Sequence, residues 1–235
     1  MPSSRSLCAV FAHPDDESFS SGGVLARYAA EGVETCLITA TLGEAGELNG
    51  QTADPTHLAR IREPELQEAA GILGVRHLRL LRLPDGHLAS NPDRLMEAIR
   101  DALLDLSPQV VITEDAQGIT GHPDHLAVTQ ATIRAFDSLP NGGLLKLYEH
   151  VVPRSAAGEG WPIKSTPDDY VTTSVNVEQW REQMASALAA HHSQVPPEHV
   201  NWVRTAPGPW VEHYVCLRTR VPILIPESDL FSGIE

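Results

Sequence analysis

The stretch LCAVFAHPDDES, residues 7–18, runs from a short apolar segment straight into one histidine and three acidic residues. The apolar part has the length and evenness of a strand buried on both faces. A chain that needed only a loop after it would use Gly, Asn or Ser. Asp15, Asp16 and Glu17 repel one another at neutral pH unless a positive charge sits among them, and a metal ion is one such charge.

The strand pattern recurs outward from there, in VETCLITAT (33–41), HLRLLRL (77–83) and QVVITE (109–114). Helical spacing fills the intervals, in GGVLARYAAEG (22–32), PTHLARIREPELQEAAGILG (55–74) and PDRLMEAIRDALLDL (92–106). Asp54 and Asn91 are natural N-caps, each followed by a proline at the first helical position. Pro64 predicts a kink or break near residue 63. The alternation specifies an α/β fold with a mostly parallel sheet flanked by helices on both faces. After residue 140 the rhythm changes. Strands are expected in 143–152, 170–177 and 210–220 around one helix at 178–191, with loops at 153–169 and 195–209. The expectation is one domain over 1–235, with a core at about 7–140 and a C-terminal strand, cap and loop extension over 141–235.

A chain of 235 residues is long enough for one sizeable core. Its formal net charge of −14 argues against a nucleic-acid partner or an anionic membrane. No apolar run approaches the ~20 residues of a membrane helix, so no membrane insertion is expected. The N-terminal residues show no signal-peptide pattern, and Cys8, Cys36 and Cys216 sit singly in apolar runs as core thiols. Together these features place the chain in the cytoplasm.

A second polar run, GHPDHLAV (121–128), follows the strand at 109–114 and opens another helix. Ligands of open α/β sheets bind beyond the carboxyl ends of the strands, so the two His-Pro-Asp segments are expected to face one cleft. His13 and Asp16 are three apart, as are His122 and His125, and on a helical turn each pair shares a face. His13, Asp16 and one histidine of the second run would make a two-histidine, one-carboxylate set with a position left for water. Asp15, Asp124 and the other histidine would then remain as acid and base. The plain alternative is that Asp15 and Asp124 are helix caps. His57, His77, His87, His150, His192, His199 and His213 lack such a pattern and read as structural or solvated residues.

At these residues the chain resembles the PIG-L/LmbE-like family of zinc-dependent N-deacetylases. A-H-P-D-D-E stands at 12–17 and G-H-P-D-H at 121–125. TLGEAGELNG (41–50), Arg62 to Leu66, LGV (73–75), LPDG (83–86) and AHHSQ (190–194) match further family segments. The resemblance implies a Rossmann-like sheet and hydrolysis of an acetamido group on an amino-sugar conjugate, such as a glucosaminyl-inositol or glucosaminyl-malate precursor of a low-molecular-weight thiol. It implies Zn²⁺ on His13, Asp16 and His125, with Fe²⁺ an alternative in the cell. It further implies Asp15 as general base, His122 as oxyanion donor held as imidazolium by Asp124 behind it, and Arg62 and Asp85 as sugar contacts. Two positions depart from the pattern: Met184 replaces a lysine before the A-H-x-S-Q motif, and Thr120 stands where some members carry a tyrosine. An amidase acting on thiol S-conjugates or acylated antibiotics is the alternative enzyme, and a metal- or sugar-binding protein the non-enzymatic one. A homo-oligomer is compatible with the sequence.

Overall fold

The computed structural model describes residues 5–48, 50–140, 142–158 and 163–234. The readings made of residues 1–4, and of 159–162 within the 153–169 loop, lie outside them. Nine strands form, β1 (Ser6–Phe11), β2 (Glu34–Thr39), β3 (Glu47–Leu48), β4 (Gln51–Thr52), β5 (His77–Leu80), β6 (Val110–Thr113), β7 (Lys146–Val151), β8 (Thr173–Asn176) and β9 (Val211–Thr219), among the described residues. The helices among them are α1 (Asp16–Ser20), α2 (Gly22–Ala30), α3 (Pro55–Ile72), α4 (Pro92–Leu106), α5 (Pro123–Ser138), α6 (Arg181–Ala190) and α7 (Pro197–Thr205).

The main sheet has the order β5-β2-β1-β6-β7-β9-β8. Strands β5, β2, β1, β6 and β7 run parallel, and β9 is antiparallel to both of its neighbours. Strand β1 explains why the apolar run is unbroken. Leu7, Ala9 and Phe11 enter one core with α2 and α3, whereas Cys8, Val10 and Ala12 enter the other with α4 and α5. Asp54 and Asn91 cap α3 and α4 as expected, accepting from the amides of His57 at 2.8 Å and Arg94 at 3.2 Å. All three cysteines are free thiols.

The break allowed for at Pro64 and the loop expected at 195–209 do not form, and one short hairpin answers to no expectation. Pro64 does not break α3, which runs through it as one 18-residue helix. Buried Leu58, Arg62, Leu66 and Ala69 on both sides of the proline anchor the two halves to one surface, which offsets the missing amide bond. The loop expected at 195–209 contains α7. Its prolines occupy the N-cap and first-turn positions, where proline suits a helix, and Val200 and Val203 pack against Met184 and Leu188. The short β3–β4 hairpin at 47–52 was too brief to leave a periodic signal.

Two buried carboxylates tie the C-terminal part to the core. Glu227 accepts from Lys146 Nζ at 2.7 Å, Tyr148 Oη at 2.7 Å and Thr173 Oγ1 at 3.1 Å. Glu212 of β9 accepts from the Gly23 and Val24 amides at 2.8 and 3.0 Å, closing the N-terminus of α2 with the chain's own carboxyl group. A pyrophosphate would need that same helix end, so the first βα unit is not a dinucleotide cradle.

Candidate metal centre and active site

Strands β1 and β6 are neighbours from which the chain departs in opposite directions, toward β2 and β5 on one side and β7 on the other. Their carboxyl ends form the switch point of the sheet, where a crevice opens. Residues 12–16 leave β1 there, and His122 starts α5 above β6. Gly118 and Gly121 turn the intervening loop at φ of +74° and +80°.

His13, Asp16 and His125 converge in that crevice. His13 Nδ1 lies 3.2 Å from His125 Nε2 and 3.3 Å from Asp16 Oδ2, and His125 Nε2 lies 3.3 Å from Asp16 Oδ1. A tetrahedral ion with bonds of ~2.0–2.1 Å needs its ligand atoms about 3.3 Å apart. The electrostatics point the same way. Burial would lower both imidazoles, but the carboxylates of Asp124, Asp16 and Asp85 hold His13 up at about 12, and Asp16 raises His125 to about 9. The cluster is thus short of positive charge, and the donor set fits a divalent ion. His122 brings a further ring nitrogen within 4.8 Å of those of His13 and His125.

A layer of carboxylates stands behind these rings. His13 Nε2 lies 3.0 Å from Asp85 Oδ1 and 3.5 Å from Asp124 Oδ2. Glu114, fully enclosed at the end of β6, lies 3.8 Å from His125 Nδ1; burial and the Asp16 charge push its carboxyl well above the usual range. Carboxylates on the outer nitrogens of ligating histidines fix ring orientation and basicity. Glu114 was missed because it reads as the last residue of an apolar strand.

Asp15 is not a conventional cap. It occupies the position before α1 at φ +99°, a conformation costing ~1–3 kcal/mol for a residue other than glycine, and its side chain makes no capping bond. Its Oδ2 instead accepts from Arg62 Nη2 at 3.0 Å. Burial raises its carboxyl to about 7, with Asp16 and Glu17 adding to the rise and Arg62 opposing it. That value suits a general base near neutral pH. Arg62 is itself buried and also donates to the carbonyls of Pro14 and Gly43, so it is not a surface helix residue. Gly43 at φ +66° leaves that room, since a Cβ there would overlap the guanidinium.

His122 is exposed at the mouth. Its Nδ1 accepts from the Asp124 amide at 3.2 Å, which leaves the proton on Nε2, pointing away from the cap. The Asp124 carboxylate does not back His122. It accepts from the Gly86 and Leu88 amides at 2.7 and 3.1 Å and faces His13. Burial and the nearby His13 and His125 lower His122, so it is neutral rather than an imidazolium. Asp85, expected at the sugar, has one oxygen near His13 and the other on the Ala45 amide at 2.9 Å. Its own amide donates to Glu44 at 3.0 Å, which fastens the 41–50 loop to the 83–86 loop.

Comparison with known proteins bears on the family and the fold. Residues 8–136 match the PIG-L family, described as GlcNAc-PI de-N-acetylase. The chain is 34% identical to a 1D-myo-inositol 2-acetamido-2-deoxy-alpha-D-glucopyranoside deacetylase of Acidothermus cellulolyticus, over 98% of this chain and 96% of that one. Its fold is shared with N,N'-diacetylchitobiose deacetylase of Pyrococcus horikoshii, with a TM-score of 0.73, 20% identity and coverage of 99% and 87%. It is shared equally with the 4-carboxy-2-hydroxymuconate hydratase GalB of Pseudomonas putida, with a TM-score of 0.72, 17% identity and coverage of 94% and 99%.

Proposed function

This chain belongs to the PIG-L (GlcNAc-PI de-N-acetylase) family and is an N-deacetylase, and from that premise we propose that it removes the acetyl group of an N-acetylglucosaminyl-inositol. The observation that carries the substrate is the likeness, along nearly the whole of both chains, to a deacetylase named for that glycoside. The fold cannot carry it, because a hydratase has the same one. The product would be a free glucosaminyl-inositol amine, a precursor type for a low-molecular-weight thiol.

Family deacetylases depend on a metal, and here His13, Asp16 and His125 would hold it. Two imidazoles and one carboxylate favour Zn²⁺, with Fe²⁺ also accepted. When bound, the ion would supply a Lewis acid for the acetamido carbonyl and would acidify water. Asp15 takes the proton of the attacking water on its carboxylate and returns it to the departing amine. Arg62 keeps that carboxylate in place and ionised near neutral pH. His122 donates from Nε2 to the developing oxyanion as a neutral imidazole. Asp124 and Asp85 orient His13. No helix among the described residues is long and apolar enough to cross a membrane, and the free thiols support a reducing, cytoplasmic setting.

The test is an amine-release screen of metal-loaded protein against N-acetylglucosaminyl-inositol, N-acetylglucosaminyl-malate, free N-acetylglucosamine and an N-acylated antibiotic aglycone. The inositol conjugate is expected to give the highest kcat/KM. A higher value on the antibiotic would favour the amidase alternative, and no release from any would overturn the activity.

A further inference from the structure

The AHHSQ segment at 190–194 has no part in the reaction as described, yet its side chains run into the site from the end of α6. His191 is fully buried, with Nε2 2.7 Å from Glu17 Oε1, and its Nδ1 has no partner among the described residues. Glu17 is equally enclosed, and Ser18 Oγ donates to the same oxygen at 2.5 Å. The other oxygen, Oε2, accepts from the Asp15 backbone amide at 3.0 Å. This back-bond resembles the acidic half of a capping box, and it falls on the residue held at φ +99°. Two positions further, Ser193 donates to Glu65 from its amide at 3.0 Å and its hydroxyl at 2.7 Å. Glu65 lies one turn beyond Arg62 on α3.

We propose that His191 is a positioning residue for Asp15. It holds Glu17 against the Asp15 amide, and Glu17 thereby fixes the left-handed turn that aims the Asp15 carboxylate at Arg62 and the cleft. Ser193 steadies the other partner through Glu65. One segment near the C-terminal end therefore sets the geometry of the Asp15–Arg62 pair. Without the imidazole donor, Glu17 loses its deepest hydrogen bond and is free to turn, and the Asp15 amide loses the side-chain acceptor that holds it at the unfavourable backbone angle. The proposal rests on the reading of Asp15 as the base.

The experiment follows the metal-loaded full chain by three measurements: kcat and KM, metal content, and hydrogen exchange of the Asp15 amide relative to that of Val10 in β1. His191→Leu removes the donor at similar volume, and His191→Gln keeps one. For the leucine variant we expect kcat to fall about 10- to 100-fold, with KM and metal content nearly unchanged, and the Asp15 amide to exchange at least about tenfold faster. The glutamine variant restores most of both. Unchanged Asp15 exchange in the leucine variant overturns the proposal. So does equal impairment of both variants in step with Tm, which marks a purely structural pair. If the leucine variant does not fold, His191→Asn withdraws the donor from the position of Nε2 while keeping a polar side chain: faster Asp15 exchange supports the proposal, and unchanged exchange overturns it. Wild-type protein that releases no amine would refute the activity alone, because amide exchange still decides the positioning.

Discussion

Arg62 donates to Asp15 across 3.0 Å, and the two meet from elements 47 positions apart in the chain. The pair sits among Asp16, Glu17 and two backbone carbonyls, so the guanidinium, with a smaller contribution from His191, keeps Asp15 from rising further above about 7. The active form of a base is the carboxylate, so a higher pKa moves the rise of rate to higher pH. Arg62→Ala is therefore expected to shift the acidic limb of the kcat/KM profile upward and to lower kcat/KM at pH 7 by about tenfold or more, with metal retained. A raised KM with an unmoved limb would return Arg62 to the sugar-contact role that the resemblance implies.

The three-atom cluster of His13, Asp16 and His125 sets the second expectation. Purified protein should hold about one divalent ion per chain, removable by chelation and restored by Zn²⁺. His125→Ala should abolish that occupancy. His122→Ala should retain it, because the ring nitrogen nearest the protein already accepts from the Asp124 amide. Elemental analysis decides, and equal loss from both variants would place the ion among the three histidines instead.

Much of this was legible because a few residues carried it redundantly. The apolar evenness of β1 and β6 required burial on both faces, which fixed a parallel sheet and put HPDDE and HPDH at adjacent strand ends. The second layer was not legible. Glu114 closes an apolar strand, Glu17 reads as an ordinary first-turn acid, and His191 lies 174 positions from its partner. Asp124 was expected behind its sequence neighbour His122, but on the first turn of a helix its carboxylate swings to the Gly86 and Leu88 amides, which no periodicity encodes. Pro64, and the prolines that open α7, misled because tertiary packing decides whether a proline interrupts a helix or begins one.

Glu212 gives a stability prediction away from the metal. Burial raises its carboxyl to about 7, against the bonds from Val24, Tyr214 and Gly23. The folded chain thus binds a proton more tightly than the unfolded one. Stability from this group is full below the unfolded pKa near 4.5 and is lost as pH rises through 7. The loss amounts to ~2–3 kcal/mol between pH 4.5 and 8. Glu212→Gln loses one acceptor but cannot ionise, so it should be less stable than wild type at pH 5 by ~1 kcal/mol and close the gap or reverse it at pH 8. Urea midpoints at the two pH values read this directly. Parallel curves for the two proteins would show that the helix-end amides keep Glu212 ionised at both.

The last prediction concerns how Asp15 and His122 divide the proton work. A bell-shaped rate profile with its basic limb on an imidazolium would require Asp124 to sustain charge on His122, and the Asp124 carboxylate faces His13 instead. Burial, His13 and His125 lower His122, and a backbone amide already occupies its Nδ1, so its donor is the Nε2–H of a neutral ring. A neutral donor does not titrate on the alkaline side. The rate should rise with pH through the Asp15 transition near 7 and carry no basic limb assignable to His122. Asp15→Asn should lose roughly 10²-fold or more in kcat, since an amide cannot take the water's proton. His122→Ala should lose a similar factor with its acidic limb unmoved, whereas His122→Gln, which keeps a neutral N–H near the same place, should recover part of it. Metal analysis accompanies each variant, so that lost activity is not lost metal. A basic limb in the wild type that disappears in His122→Gln would show a charged imidazole at work and overturn the neutral-donor assignment.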